Sequence, residues 1–256
     1  MKIRVIFFIL LAAFILLATP GCGDEKIPET ITIQGKEYGT DLTELNLTLD
    51  FTNSDTEPLT NSDIEPLKHM KNLTKLYLGG HQLDDIKILN GLTNLTLLEL
   101  WDNQISDLSA LKGLTNLTNL HMTNNQIGDI SELKNLTNLT HLRLDSNQIK
   151  DISELKNLTN LKSLNLGENQ ISDLSALSGL TNLTGLYLGD NKISDLSALK
   201  SLTGLTELFL DSNEISDLSV LKSLTNLTRL MLSRNQISEA QIAELQTALP
   251  NCVINH

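Results

Sequence analysis

The sequence predicts an α/β solenoid: a right-handed coil with a concave parallel β-sheet, a convex side of 3₁₀ and irregular segments, and a short C-terminal capping helix. Three observations predict it. From Leu73 onward leucines recur with a period of 22 residues, almost without slips. The chain of 256 residues is 40 % hydrophobic but only 4 % aromatic, so its core is aliphatic, a recipe suited to stacked repeats rather than to an ordinary globular domain. Both ends break the period, as the caps of a stack must. Length alone permits one or two domains; the unbroken period decides for one.

Residues 1–21 read as a signal peptide of the lipoprotein type. Lys2 and Arg4 give it a positive start, and Val5 to Ala18 is an apolar run of 14 residues. A membrane span needs about 20, whereas the core of a signal peptide needs fewer. Gly21 then precedes Cys22, which resembles the bacterial lipobox, although Thr19 and Pro20 depart from its usual pattern. A lipid on Cys22 would anchor the chain to the outer face of a bacterial membrane. The alternative is an ordinary secretory signal in which Cys22 is incidental, and either reading expects export. Residues 22–29 form a tether. Residues 30–41 form a capping hairpin, with Ile31 and Ile33 alternating before a turn at Gln34-Gly35. With Cys22 lipidated, Cys252 has no disulfide partner and reads as a small buried apolar residue.

Residues 42–237 form the solenoid, with about nine strands. A typical unit runs from Leu139 to Asn160. Leu142 and Leu144 are two apart and point inward from a short strand, while Arg143 points outward. Asn147 sits where the chain turns, and its amide satisfies backbone groups opened by the bend. Ile149, Ile152, Leu155 and Leu158 follow at a spacing of three, which suits a 3₁₀ return with one apolar edge. No unit can bury these side chains alone; stacking closes the core. In one unit His81 replaces the turn asparagine and is expected to loosen that turn. The first unit is 31 residues long, because Asn53–Thr60 is nearly repeated as Asn61–Lys68, and the excess reads as a longer loop on the convex or rim side. Residues 238–256 form the C-terminal cap. Ser238 caps a helix whose apolar stripe is Ile242, Leu245 and Leu249, Pro250 stops it, and Cys252 and Ile254 offer a last short strand.

The LxxLxLxxNxIxDIxxLxxLTN pattern is similar to the 22-residue leucine-rich repeat of bacterial internalins, over roughly residues 42–249. The resemblance implies a surface protein that binds other molecules on its concave face. The hairpin stands where that family usually carries a larger helical cap.

The formal charge is −12, and loss of Lys2 and Arg4 with the signal segment takes it to −14. Such a surface repels nucleic acid and anionic lipid headgroups, so no nucleic-acid partner is expected. No nucleophile elbow, zinc-protease, phosphate-loop or dinucleotide motif is present, and carboxylates recur in every unit whereas an active site occurs once. No enzyme activity, cofactor or metal is expected. His121 and His141, with Glu99 and Asp145 near, make a thin case for a surface metal site. The column Asp107, Asp129, Asp151, Asp173, Asp195 and Asp217 offers too few ligands at any one point for calcium and reads instead as backbone caps.

Framework positions are explained by folding, so recognition is sought in the variable outward places of each strand. Outside the signal segment the chain has six aromatics, Tyr38, Phe51, Tyr77, Trp101, Tyr187 and Phe209, and four of them fall on those places. Aromatic side chains, Arg and Met anchor interfaces most often. The candidate ligand-binding residues are therefore one anchor zone at Tyr77 and Trp101 and another at Tyr187, Phe209 and Met231. A charged middle of Glu99, His121, His141, Arg143 and Asp145 lies between them. The expected partner is a protein or a glycan, bound by a monomer that is tethered to a membrane through Cys22. The competing readings are a spacer lipoprotein without a specific ligand, and aromatics placed by β-propensity alone.

Overall fold

A computed structural model of the chain describes residues 27–256, apart from 51 and 53–55. The signal segment, Cys22, most of the tether and Phe51 lie outside the described residues. Ten strands of three residues each form one parallel sheet in sequence order. They are β3 (Glu44–Asn46), β4 (Lys75–Tyr77), β5 (Leu97–Glu99), β6 (Asn119–His121), β7 (His141–Arg143), β8 (Ser163–Asn165), β9 (Gly185–Tyr187), β10 (Glu207–Phe209), β11 (Arg229–Met231) and β12 (Val253–Asn255). A separate antiparallel hairpin joins β1 (Thr30–Ile33) to β2 (Lys36–Gly39). The tenth strand of the large sheet is the last one, which follows the C-terminal helix and pairs with β11.

Each strand is short because only its middle residue faces the core. In β7 Leu142 is fully buried while His141 and Arg143 are exposed, and Leu144 turns back into the core immediately afterwards. Each return segment carries one short 3₁₀ turn in an otherwise irregular stretch, as at Ser131–Asn135 and Ser153–Asn157. Their buried residues Ile149, Ile152, Leu155 and Leu158 sit at the spacing of three that eclipsed 3₁₀ side chains require. Each return is started by the aspartate column: Asp151 accepts the Ser153 N–H at 2.8 Å, and Asp107 and Asp217 repeat the bond to Ser109 and Ser219. These hydrogen bonds hold the three carboxyls below the usual carboxylate range.

Coils are stitched together at the turn. Asn147 Nδ2 donates to the carbonyls of Leu144 and Asp145 in its own coil and of Met122 in the preceding one, and its Oδ1 accepts the N–H of Ile127. The same set recurs from Asn103 to Asn235. The residue just before each asparagine is left-handed, from Asp102 at φ 52° to Arg234 at φ 58°.

The first coil differs from expectation in two ways. The second copy of its duplicated segment is not all loop: Asn61–Ile64 form a short helix, α1, that runs into a 3₁₀ turn over Glu65–His69. Thr60 and Asp63 cap it reciprocally, and Ile64 and Leu67 are fully buried, so this copy supplies the apolar edge that a regular return would. His81 also closes its turn with two bonds where an asparagine makes four. Its ring is buried, Nδ1 accepts the Leu59 N–H at 3.1 Å and Nε2 lies 2.6 Å from the Leu47 carbonyl. Both groups are counterparts of those an asparagine holds elsewhere, and the imidazole spans them across the longer connection.

At the other end α2 (Glu239–Ala248) begins at Ser238, whose Oγ accepts the Gln241 N–H. Ile242, Leu245, Leu249 and Cys252 close the last coil.

Candidate functional site

The outward places of the strands make one concave surface, and the register sets its neighbours. Successive units align residue for residue, so Glu99, His121, Arg143, Asn165, Tyr187, Phe209 and Met231 form a continuous row across β5 to β11. All ten proposed binding residues lie on this surface. His141 and Arg143 are exposed and the other eight are partly buried.

At the C-terminal end the side chains lock one another. The Tyr187 and Phe209 rings meet edge to face, 4.9 Å apart at 87°. The Tyr187 hydroxyl donates to Glu207 at 2.5 Å, Glu207 pairs with Arg229 at 3.2 Å, and the Arg229 guanidinium lies 5.3 Å from the Phe209 ring centre. Burial, then the bond to Glu207, raises the Tyr187 pKa above its ordinary value. Met231 sulfur is contacted by the Asn255 amide of the last strand. This closed set fixes two aromatic rings without ligand, which lowers the ordering entropy a partner must overcome. Glu207 and Arg229 were absent from the sequence-based set. They are neighbours across β10 and β11, and opposite charges 22 residues apart were the signal for them.

At the other end the Trp101 indole spreads over Gly79 of the preceding coil. A Cβ on residue 79 would fall 2.2 Å from Trp101 Cε2, so only glycine admits the ring there. Trp101 Nε1 donates to Glu99 at 3.3 Å, and the ring centre lies 6.5 Å from that of His121. His121 shares a hydrogen bond with the Thr123 hydroxyl, and Thr123 in turn donates to Asp145. The His121 pKa is lowered, first by burial and then by the cation of Arg143, against the opposing pull of Glu99, Asp145 and Asp102. His141 Nδ1 lies 2.9 Å from the Thr140 hydroxyl. Among the described residues no three His, Cys, Asp or Glu side chains are grouped to hold a metal ion. A depression of about 250 Å³ opens between Leu97, Asn119, His121, His141 and Arg143. It is half open and lined by both polar and apolar groups.

The repeats match the family model for leucine-rich repeats (two copies) over residues 93–135, 137–180, 181–223 and 203–251. Among solved structures, internalin C2 from Listeria monocytogenes is 39 % identical, with a TM-score of 0.71 over 78 % of this chain and 86 % of that one. A leucine-rich-repeat protein of Leptospira interrogans is 32 % identical, with a TM-score of 0.71 over 75 % of this chain and 51 % of that one. The functional domain of InlJ from Listeria monocytogenes, at 24 % identity and a TM-score of 0.62, covers 85 % of this chain and 50 % of that one and shares the fold alone. A comparison with curated protein sequences finds no match. The architecture is that of a protein-binding module, and the chain belongs to the leucine-rich-repeat family as a protein of the internalin type.

Proposed function

We propose that this protein is an exported, membrane-tethered binding module that holds a partner protein against its concave face. Tyr187, Phe209 and Met231 anchor one end of the contact, and Tyr77 and Trp101 the other. One observation carries the reading. Of the five aromatic side chains among the described residues, four project from the concave sheet, and partly exposed rings gain nothing from water. Export and the lipid on Cys22 rest on the apolar run after Lys2 and Arg4 and on the Gly21-Cys22 junction. A glycan ligand is the second reading, favoured by the indole spread over Gly79.

The test is retention of a partner from envelope extracts by the protein and by its Tyr187→Ala and Phe209→Ala variants, with thermal unfolding measured beside it. The proposal expects capture to fall about tenfold or more per ring, as for interface anchors, while unfolding shifts little. If unfolding shifts strongly and capture per folded molecule is unchanged, the rings serve the solenoid and the protein is a spacer.

A further inference from the structure

Among the described residues, the concave face holds one arginine without an ion pair. Three arginines fall among the described residues. Arg229 is held by Glu207 and Phe209, and Arg234 lies 3.3 Å from Asp211 and 3.8 Å from Asp190. Arg143 makes no ion pair among the described residues, although Asp and Glu number 31 in the sequence. Its position is central: β7 has four strands on one side of it and five on the other. Its charge acts on both flanking zones, on His121 to one side and on Tyr187 to the other.

Two carboxylates of this part of the face have other partners. Asp145, two residues along the same strand direction, accepts the Thr123 hydroxyl, and Glu99 accepts the Trp101 indole N–H. Arg143 forms one wall of the depression beside His121 and His141, and His141 Nε2 has no partner among the described residues. A guanidinium offers five N–H donors in a planar fork that fits a carboxylate at two points. Within a protein of charge −12, a partner bearing dense negative charge is repelled, and Glu99 and Asp145, which act on the neighbouring His121, strengthen that exclusion. One carboxylate between apolar groups meets the fork and the two aromatic zones together.

We propose that Arg143 receives a single Asp or Glu side chain of the partner protein, whose flanking apolar residues rest on Trp101 to one side and on Tyr187 and Phe209 to the other. This rests on the concave-face reading above and adds the chemistry that selects the partner. The experiment is selection of ligands from a displayed peptide library on the immobilised protein, with each ligand then measured against variants. Selected ligands are expected to share one acidic residue between apolar ones. Arg143→Gln, and Asn or Gln in place of the ligand's acidic residue, should each weaken binding about tenfold or more, and the two changes together no further than either alone. Arg143→Lys, which keeps the charge and loses the fork, should fall between. Lys156→Gln, which removes the same charge from the return side, should leave binding unchanged.

Ligands that need Tyr187 and Phe209 but carry no acid, or that ignore Arg143→Gln, overturn the carboxylate assignment and leave the binding face standing. Ligands indifferent to alanine at Tyr187 and Phe209 overturn both. A second arm offers oligosaccharides bearing a carboxylate. Arg143-dependent binding there, with no peptide selected, replaces the protein partner by an acidic glycan and overturns the proposal as stated.

Discussion

The turn of the first coil and the turns that follow it satisfy the same backbone groups with different chemistry. From Asn103 onward an amide holds three carbonyls and one N–H and carries no titratable proton. Where the second coil meets the first, an imidazole, His81, holds one carbonyl and one N–H of the first coil across its longer connection. The requirement on the turn is therefore a donor and an acceptor at fixed places, and the residue that meets it follows the length of chain to be bridged. The difference also leaves the His81 turn sensitive to acid where the asparagine turns are not.

Four measurements bear on that comparison. The largest effect is expected for Asn147→Ala, which removes four hydrogen bonds, strands the Ile127 N–H and leaves the Met122 and Leu144 carbonyls only their bonds from Asn125 and Asn169; at about 0.5–1.5 kcal/mol per bond the loss is about 3 kcal/mol, read in denaturant unfolding. His81→Ala should cost less, about 2 kcal/mol, since two groups are stranded and the coil lies at the end of the stack. A loss equal to that of Asn147→Ala would show that the first coil unfolds only with the rest. Ser212→Gly should raise stability by about 1 kcal/mol, because Ser212 is left-handed at φ 53° and its buried hydroxyl has no partner among the described residues; no gain would mean the backbone there is unstrained.

The smallest effect is the pH response of the first coil. Burial lowers the His81 pKa below its ordinary 6.5, against the opposing bond to Leu47. The unfolded chain then binds more protons than the folded one as pH falls below about 6.5, so the stabilisation is complete above that value and is lost below it. Protonation also places an N–H at Nδ1, facing the Leu59 N–H. Amide exchange at Leu59, corrected for its intrinsic pH dependence, should quicken between pH 7 and pH 5 relative to Ile105, whose N–H rests on an asparagine. Equal protection at both sites across that range would remove the distinction. His121, lowered by burial and by Arg143, adds a loss of the same sign in the middle of the sheet.

The candidate surface was readable to a similar depth. A strict 22-residue register places every fifth-position side chain in one row, so the row from Glu99 to Met231 needed no coordinates. Glu207 and Arg229 escaped because exposed charges recur in every unit, and these two matter only through the ring that Tyr187 lays toward Glu207. Gly79 escaped for a similar reason, its role being to admit the Trp101 indole from the next coil.

Repetition let the sequence by itself determine the coil, its register, the apolar edge of each return and both caps, since identical units stacked in order have one way to bury their leucines. Only the tertiary structure decided what happens where the period fails. A buried imidazole replaces an amide at His81, a helical turn fills the lengthened first coil, and of the three arginines among the described residues one makes no ion pair. Those outcomes depend on which side chains reach one another across neighbouring coils, a distance that sequence spacing fixes for backbones but not for the ends of long side chains.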